Sequence, residues 1–446
     1  MNKLIIKDVL DEIDGVLVCG SYDEVLNNFK INSKEVIKDD VFIGIKGNID
    51  GSIYYKEALN NGAKGVIINN YIDVNPINNV FIIKVKDSVK ALEKLATIYR
   101  SINEVPVIAV TGSFAKTSTK DMIYSVLSKK YNVLKTEENY NNNIGLSLTI
   151  LRYKDEDIML LEMGMNNKGE ISNLSNIAKP NIGIITNIGT SHIGNLGSRK
   201  NILNAKLELL DNLNGYLLIN NDNDLLNEWN NKNKIYDVKT IGINNNSDYN
   251  AYNINISKRN ISFYCNNEKY IINNGERGYI YNALFSIMIG NIFNIPYRDI
   301  SNSISNYHLT QGRCEIIELN KIRIINDCYN SSLETVKEAI LNLRRYDGRK
   351  IVILGDILEL GEYSKEIHKE IGNILLKENI DIIITIGREI EVIKEIINSI
   401  HFYDNESVIN YLKKTIKRGD NILLKASHKM NLIDIVNYLK NNDFIV

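Results

Sequence analysis

The sequence predicts an α/β protein of three domains, and three observations lead to that reading. The chain has 446 residues, too many for one ordinary hydrophobic core. Short continuous apolar runs alternate with amphipathic helical segments along most of it. The pattern also restarts twice, so that residues 1–103, 104–312 and 313–446 read as separate blocks.

The first block mixes the apolar runs Asp40 to Ile45, Gly65 to Ile68 and Val80 to Val85 with a helix over Ser88 to Ser101, whose Val89, Leu92, Leu95, Ala96 and Tyr99 fall at amphipathic spacing. In the second block Val105 to Val110 reads as a buried parallel strand, followed by a helix from Thr117 to Lys130 and further strands at Ile158 to Leu161, Ile182 to Ile188 and Tyr216 to Ile219. The third block alternates strands at Ile322 to Ile325, Lys350 to Leu354, Asp381 to Ile386 and Asn421 to Leu424 with helices at Ser332 to Arg345, Ser364 to Lys377, Ser407 to Lys417 and Leu432 to Lys440. This is a Rossmann-like doubly wound pattern. It lacks a Gly-x-Gly-x-x-Gly fingerprint at a strand end, which argues against dinucleotide binding.

Composition narrows the function. A formal net charge of -1 gives no broad electrostatic footprint for nucleic acid. Cys19, Cys265, Cys314 and Cys328 have no paired spacing, which excludes zinc knuckles and suggests free thiols in a reducing compartment. The N-terminal residues lack the apolar core of a signal peptide, and no run approaches the ~20 apolar residues of a membrane span. A cytoplasmic monomer that binds neither membrane nor nucleic acid is expected. Asn clusters such as Asn220 to Asn223 and Asn244 to Asn246 interrupt the periodic segments and read as loops.

The most informative segment is Thr111-Gly112-Ser113-Phe114-Ala115-Lys116-Thr117-Ser118-Thr119. It joins a buried strand to a helix, the context in which backbone amides and the helix dipole hold phosphate. Gly112, Ser113, Lys116, Thr117 and Ser118 are its candidate nucleotide contacts. Lys116 would reach the terminal phosphates and the Thr117 hydroxyl would ligate Mg²⁺. The general phosphate-loop pattern expects glycine at Val110 and at Ala115. Ala115 adds a Cβ and resists positive φ.

The shorter spacing, Thr-Gly-x-x-[Gly]-Lys-Thr, resembles that of the Mur ligases. The resemblance continues in order through Asn139 to Leu146, Glu162 to Asn166 with Gly169-Glu170-Ile171, Thr186 to His192 and Ala205 to Glu208. In the third block it includes Gly312-Arg313, Asn326 to Asn330, Gly355 to Gly361 and Lys425-Ala426-Ser427. In the first it rests on Asn32-Ser33-Lys34, Asp40-Val41-Phe42, Lys46-Gly47 and Asp50-Gly51, so it covers nearly the whole chain.

This resemblance implies an ATP-dependent ligase that activates a carboxylate as an acyl phosphate and joins it to an amine. It also implies a nucleotide-sugar-binding first domain, a P-loop ATPase-like central domain and a third domain that takes the incoming amine. The branch it most resembles uses UDP-N-acetylmuramoyl-tripeptide and D-alanyl-D-alanine in peptidoglycan precursor synthesis. By the same resemblance Thr117, Glu162, His192 and Lys206 hold two Mg²⁺ ions, Lys206 as a carbamate formed with CO₂, and Lys116, His192 and Lys206 are catalytic. Carbamylation needs a neutral amine, which burial of a lysine can supply. Asn282 would contact adenine, with Arg313, Asp327 and Tyr329 on the rest of the nucleotide. Ser33, Lys34, Asn141, Asn142, Lys425 and Ser427 would contact the other substrates.

The sequence departs from the family at Ala115, at Asn32 and Lys34 where Asp and Arg are usual, and at Ala426 where Gly is usual. These departures bear on ATP, nucleotide-sugar and amine specificity. Two other readings remain open from sequence: a related ligase with a different acceptor or amine, and a catalytically weak nucleotide-sugar-binding scaffold. An Asn at the position of Asn282 could equally cap a helix.

Overall fold

The computed structural model describes every residue except Met1, Val74, 234–235, Asn274, 309–311, 320–321 and 442–446. The chain divides into two compact units. One comprises Met1–Thr111, Lys130–Ile184 and Leu207–Leu217, and the other Gly112–Lys129, Ile185–Lys206 and Leu218–Val446.

In the first unit a five-stranded sheet runs in the order Gly15–Cys19, Phe81–Val85, Gly65–Asn69, Val41–Ile43, Phe29–Lys30. The last four strands are parallel and Gly15–Cys19 is antiparallel to its neighbour. Phe42, Val66, Ile68 and Ile82 pack with Tyr55 and Ala58 on one face, which explains why these strands read as unbroken apolar runs. The helix Ser88–Ile102 begins where Asp87 accepts from Val89 N and Lys90 N, and it buries Leu92, Leu95, Ala96 and Tyr99 as the spacing predicts. In the same unit Ile158–Glu162 pairs in parallel with both Val107–Thr111 and Val133–Lys135. All five of its residues are buried, Glu162 included.

In the second unit a six-stranded sheet has the order Glu315–Glu318, Arg323–Asn326, Asn421–Lys425, Lys350–Gly355, Ile382–Ile386, Ile400–Phe402. Only Glu315–Glu318 is antiparallel to its neighbour; the other pairs are parallel. The last strand in sequence therefore lies between two earlier ones, and the C-terminal ends of Arg323–Asn326, Asn421–Lys425 and Lys350–Gly355 stand side by side. Ligands bind at such strand ends in doubly wound sheets.

Several elements differ from expectation. The strand expected over Ile182 to Ile188 ends at Ile185, because Thr186 and Asn187 turn away to make side-chain bonds to the loop at Phe114. A three-stranded antiparallel sheet, Tyr252–Ile256, Asn260–Cys265 and Glu268–Asn273, stands in the second unit where no strands were predicted. Its second hairpin turns through Asn266 and Asn267, both at positive φ, a conformation that Asn tolerates better than most residues. The Asn clusters lie between elements except for Asn220, which ends the strand Tyr216–Asn220, and they also fasten those elements: Asn223 caps the helix Asp224–Lys232, and Asn221 donates to Asn246 O at 2.8 Å.

One histidine is built wholly into the core of the second unit. His368, on the helix Ser364–Leu375, has no exposure. Its Nδ1 donates to Ser364 O at 2.8 Å and its Nε2 accepts from Ile357 N at 3.1 Å. The two partners require the neutral tautomer, and burial lowers its pKa below the ordinary histidine value. The unfolded chain therefore takes up the proton first. The stabilisation is complete above about pH 6.5 and is lost as pH falls below it. Urea denaturation across this range should show a steeper acid loss of stability in the wild type than in His368→Gln.

Candidate active site

The loop between Thr111 and the helix Lys116–Leu127 is held by one neighbouring segment. Ser113 N donates to Asn187 O at 3.0 Å, Phe114 N to Asn187 Oδ1 at 3.0 Å, and Gly189 N to Ser113 Oγ at 2.9 Å. Phe114 O accepts from Thr186 Oγ1 at 2.7 Å and from Asn187 Nδ2 at 3.1 Å. Gly112 sits at φ 151°, and a Cβ there would lie 1.9 Å from Thr186 Oγ1, so only glycine fits. Ala115 caps the helix at φ 61° and ψ 7° without a side-chain cap bond. That left-handed conformation costs an L-residue with a Cβ about 1–2 kcal/mol. The positive φ expected to trouble alanine is present, and the loop adopts it nonetheless.

Lys116 Nζ curls back to donate to Gly112 O at 2.9 Å. Ser118 is buried in the first turn of the helix. Thr117 Oγ1 accepts from an Arg313 terminal nitrogen at 3.0 Å, and the Arg313 guanidinium stacks 4.1 Å from the Tyr329 ring centroid. Asn282 is the fourth residue of the helix Tyr279–Ile292, not its cap, which is Gly278. Its Oδ1 accepts from Thr119 Oγ1 at 3.0 Å, which ties that helix to the helix of the phosphate loop.

Lys206 is almost entirely buried. Burial, and then the positive charge of Lys116, hold its pKa well below the ordinary lysine value. His192 is also shifted down, chiefly by burial and then by Lys116, while Glu359 pulls the other way. Its Nδ1 lies 2.7 Å from Glu359 Oε2, an ion-pair distance without hydrogen-bond alignment. Backbone contacts fix the approach: Gly194 N donates to Glu359 O at 3.1 Å, and a Cβ on Gly194 would meet that oxygen at 2.7 Å.

At the strand ends of the six-stranded sheet, Lys425 Nζ donates to Asp327 Oδ2 at 2.5 Å and to Asn330 O at 3.0 Å. The other Asp327 oxygen accepts from Cys314 N at 3.1 Å, so Asp327 fastens the chain next to Arg313. Ser427 Oγ accepts from Leu358 N at 2.9 Å. Glu276, which sequence reasoning passed over, is buried beside this group and accepts from Asn342 Nδ2 at 3.0 Å. Burial, then the Asp327 charge, push its carboxyl up to about 7.

The first unit carries the remaining candidates. Asn141 Nδ2 donates to Glu162 Oε1 at 2.8 Å, so these two residues meet. Asn142 is exposed and its side chain accepts from Gly145 N at 2.8 Å, capping the helix Asn143–Leu151. Ser33 Oγ donates to Glu57 Oε2 at 2.5 Å, while Lys34 is exposed. Asn32 accepts from Lys34 N at the start of that turn, a task that Asp performs equally well.

A helix-opening anion loop facing several cationic side chains, on parallel α/β sheets, defines a nucleotide-using α/β enzyme. Residues 110–290 match the Mur ligase middle domain and residues 312–428 the Mur ligase, glutamate ligase domain. The chain is 35% identical over 98% of its length, and 98% of the relative's, to UDP-N-acetylmuramoyl-tripeptide–D-alanyl-D-alanine ligase of Bacillus subtilis strain 168. It is 32% identical, over 96% of each chain, to the ligase of the same name from Buchnera aphidicola subsp. Baizongia pistaciae. Among solved structures, MurF from Acinetobacter baumannii superposes with a TM-score of 0.90 at 23% identity, covering 99% of this chain and 100% of that one. MurF ligase from Thermotoga maritima in complex with ADP gives 0.83 at 28% identity, covering 93% and 97%. The chain belongs to the Mur ligase family, and it is an ATP-dependent ligase that forms a carbon–nitrogen bond.

The buried Asp327–Lys425 pair supports the stability of this site. Removing one partner leaves the other charge buried and uncompensated, which costs roughly 3–5 kcal/mol. Lys425→Met and Asp327→Asn should each destabilise the protein to urea on that scale, and the double variant by clearly less than their sum.

Proposed function

We propose that this protein joins D-alanyl-D-alanine to UDP-N-acetylmuramoyl-tripeptide, with ATP converted to ADP and phosphate, in the cytoplasm and as a monomer. The observation that carries this reading is the loop of Gly112 to Lys116, built to receive a phosphate chain, in a protein whose full-length relatives carry that ligase's name. We assign residues 1–103 to the nucleotide-sugar, 104–312 to ATP and 313–446 to the incoming dipeptide.

The acceptor carboxylate oxygen bonds to the γ-phosphorus as the bond to the ADP oxygen breaks, giving an acyl phosphate. The dipeptide amine then attacks the acyl carbon, the carbon–oxygen bond to phosphate breaks, and the amine proton leaves to solvent. Such a reaction depends mainly on positioning and on neutralising charge. Lys116 can release Gly112 O and turn to the terminal phosphates. Arg313, already against Thr117, adds a second cation from the neighbouring domain, with Tyr329 holding its plane. Asn282 serves adenine, Asp327 positions Arg313 and the ribose, and Lys425 and Ser427 serve the dipeptide. Ser33, Lys34, Asn141 and Asn142 serve the nucleotide-sugar.

Bound Mg²⁺ supplies charge neutralisation at the phosphates. Among the described residues no three His, Cys, Asp or Glu side chains cluster as a cage, which suits an ion held by few protein ligands and by substrate phosphate. Thr117, His192 and Lys206 would hold it, and we retain Glu162 as a ligand. The buried, low-pKa amine of Lys206 meets the requirement for carbamylation.

Phosphate release from Mg-ATP should require both UDP-N-acetylmuramoyl-tripeptide and D-alanyl-D-alanine, and Lys116→Ala should lower it by about a hundredfold or more. Release that needs a different amine would redirect the substrate assignment; no release would favour the scaffold reading. Isotopically labelled bicarbonate should give a carbamate signal in the wild type that is absent in Lys206→Ala.

A further inference from the structure

Ala115 has no side chain that could cap the helix; its C=O accepts from Thr119 N at 2.9 Å, which ties its far side to the helix and leaves the peptide group before it to be held by other residues. The C=O of Phe114 belongs to the peptide group that leads into Ala115. Two buried side chains fix that oxygen, Thr186 Oγ1 at 2.7 Å and Asn187 Nδ2 at 3.1 Å. The N–H of Phe114 belongs to the preceding peptide group, and it donates to Asn187 Oδ1 at 3.0 Å. One amide side chain thus grips both peptide planes of Phe114, as a paired strand would. With the Phe114–Ala115 plane fixed, little freedom remains in the turn from which Lys116 and its helix start. A glycine would enter that turn without help; alanine does not.

We propose that Asn187, assisted by Thr186, is a positioning residue for the phosphate loop, imposing on Ala115 the turn that aims Lys116 and the helix amides at the nucleotide. The proposal rests on reading the loop as the ATP site, and its test separates the two. Asn187→Ala should raise the KM for ATP about tenfold, the factor given by ~1.4 kcal/mol, and leave the KM for the other substrates within about twofold. It should also speed hydrogen exchange at the 113–117 amides in nucleotide-free protein. Adding Ala115→Gly should bring the KM for ATP back to within about threefold of the Ala115→Gly single variant, since glycine no longer needs the grip. If Asn187→Ala does not fold, Thr186→Val with and without Ala115→Gly provides the same comparison through a single lost bond.

An unchanged KM for ATP in folded Asn187→Ala, or an equal loss in both Ala115 backgrounds, overturns the proposal. Wild-type ATP affinity in Lys116→Ala would instead overturn the phosphate-site reading. The nucleotide-free exchange measurement would then still decide the role of Asn187.

Discussion

The second unit gathers basic side chains where burial disfavours their charge. Burial first, and then the charge of Lys116, depress the proton affinity of both Lys206 and His192, while Glu359 raises that of His192. Like charges in a poorly solvated site are unfavourable until an anion arrives to share them. On the proposed reading of the loop, the polyphosphate of ATP supplies such an anion. Lys116 donates to a carbonyl oxygen, Arg313 to a threonine hydroxyl, and His192 lies beside Glu359.

The supports behind these residues are of the opposite kind. Asp327 and Lys425 are paired and buried, and Asp327 also fixes the backbone next to Arg313. Asp356 accepts from the N–H groups of Arg388, Glu389 and Ile390, and the Cβ that any other residue would bring at Gly387 would lie 2.4 Å from that carboxylate. This carboxylate is committed to a helix start, although the Gly355 to Gly361 segment around it is among the family's signatures. The same segment delivers Glu359 to His192 and rests on His368 from below.

Much of this was legible in the sequence. Parallel strands buried on both faces must be apolar throughout, which is why Val107–Thr111, Ile158–Glu162 and Lys350–Gly355 could be read to within two residues. The strand–loop–helix junction at Gly112 to Lys116 could be read because an apolar run, a glycine and a Lys-Thr helix start follow one another there. The roles of the asparagines could not. Asn142 as a cap, Asn282 four residues into a helix and Asn187 as a peptide clamp are chemically the same side chain. Which backbone groups each meets is decided by long-range packing. Glu276 was invisible for a similar reason: only tertiary burial separates a carboxyl at about 7 from an ordinary surface acid. The Tyr252–Asn273 hairpins carried a usable signal that was passed over: Asn260–Cys265 is buried at every second residue and Glu268–Asn273 buries Tyr270 and Ile272, and only Tyr252–Ile256 is exposed along most of its length.

Alanine at 115 then acquires a physical rationale. Glycine would enter the left-handed turn freely, but it would also leave the unfolded chain and the empty loop more conformations to explore. Alanine narrows both ensembles, on condition that the strain is met elsewhere. Here it is met by Thr186 and Asn187, which are buried and bonded to Phe114. The ordering of the loop is then a property of the folded protein and not a demand made on ATP. On the proposed reading, free energy from phosphate binding then goes to positioning Lys116 and Arg313, and not to ordering the turn that carries them.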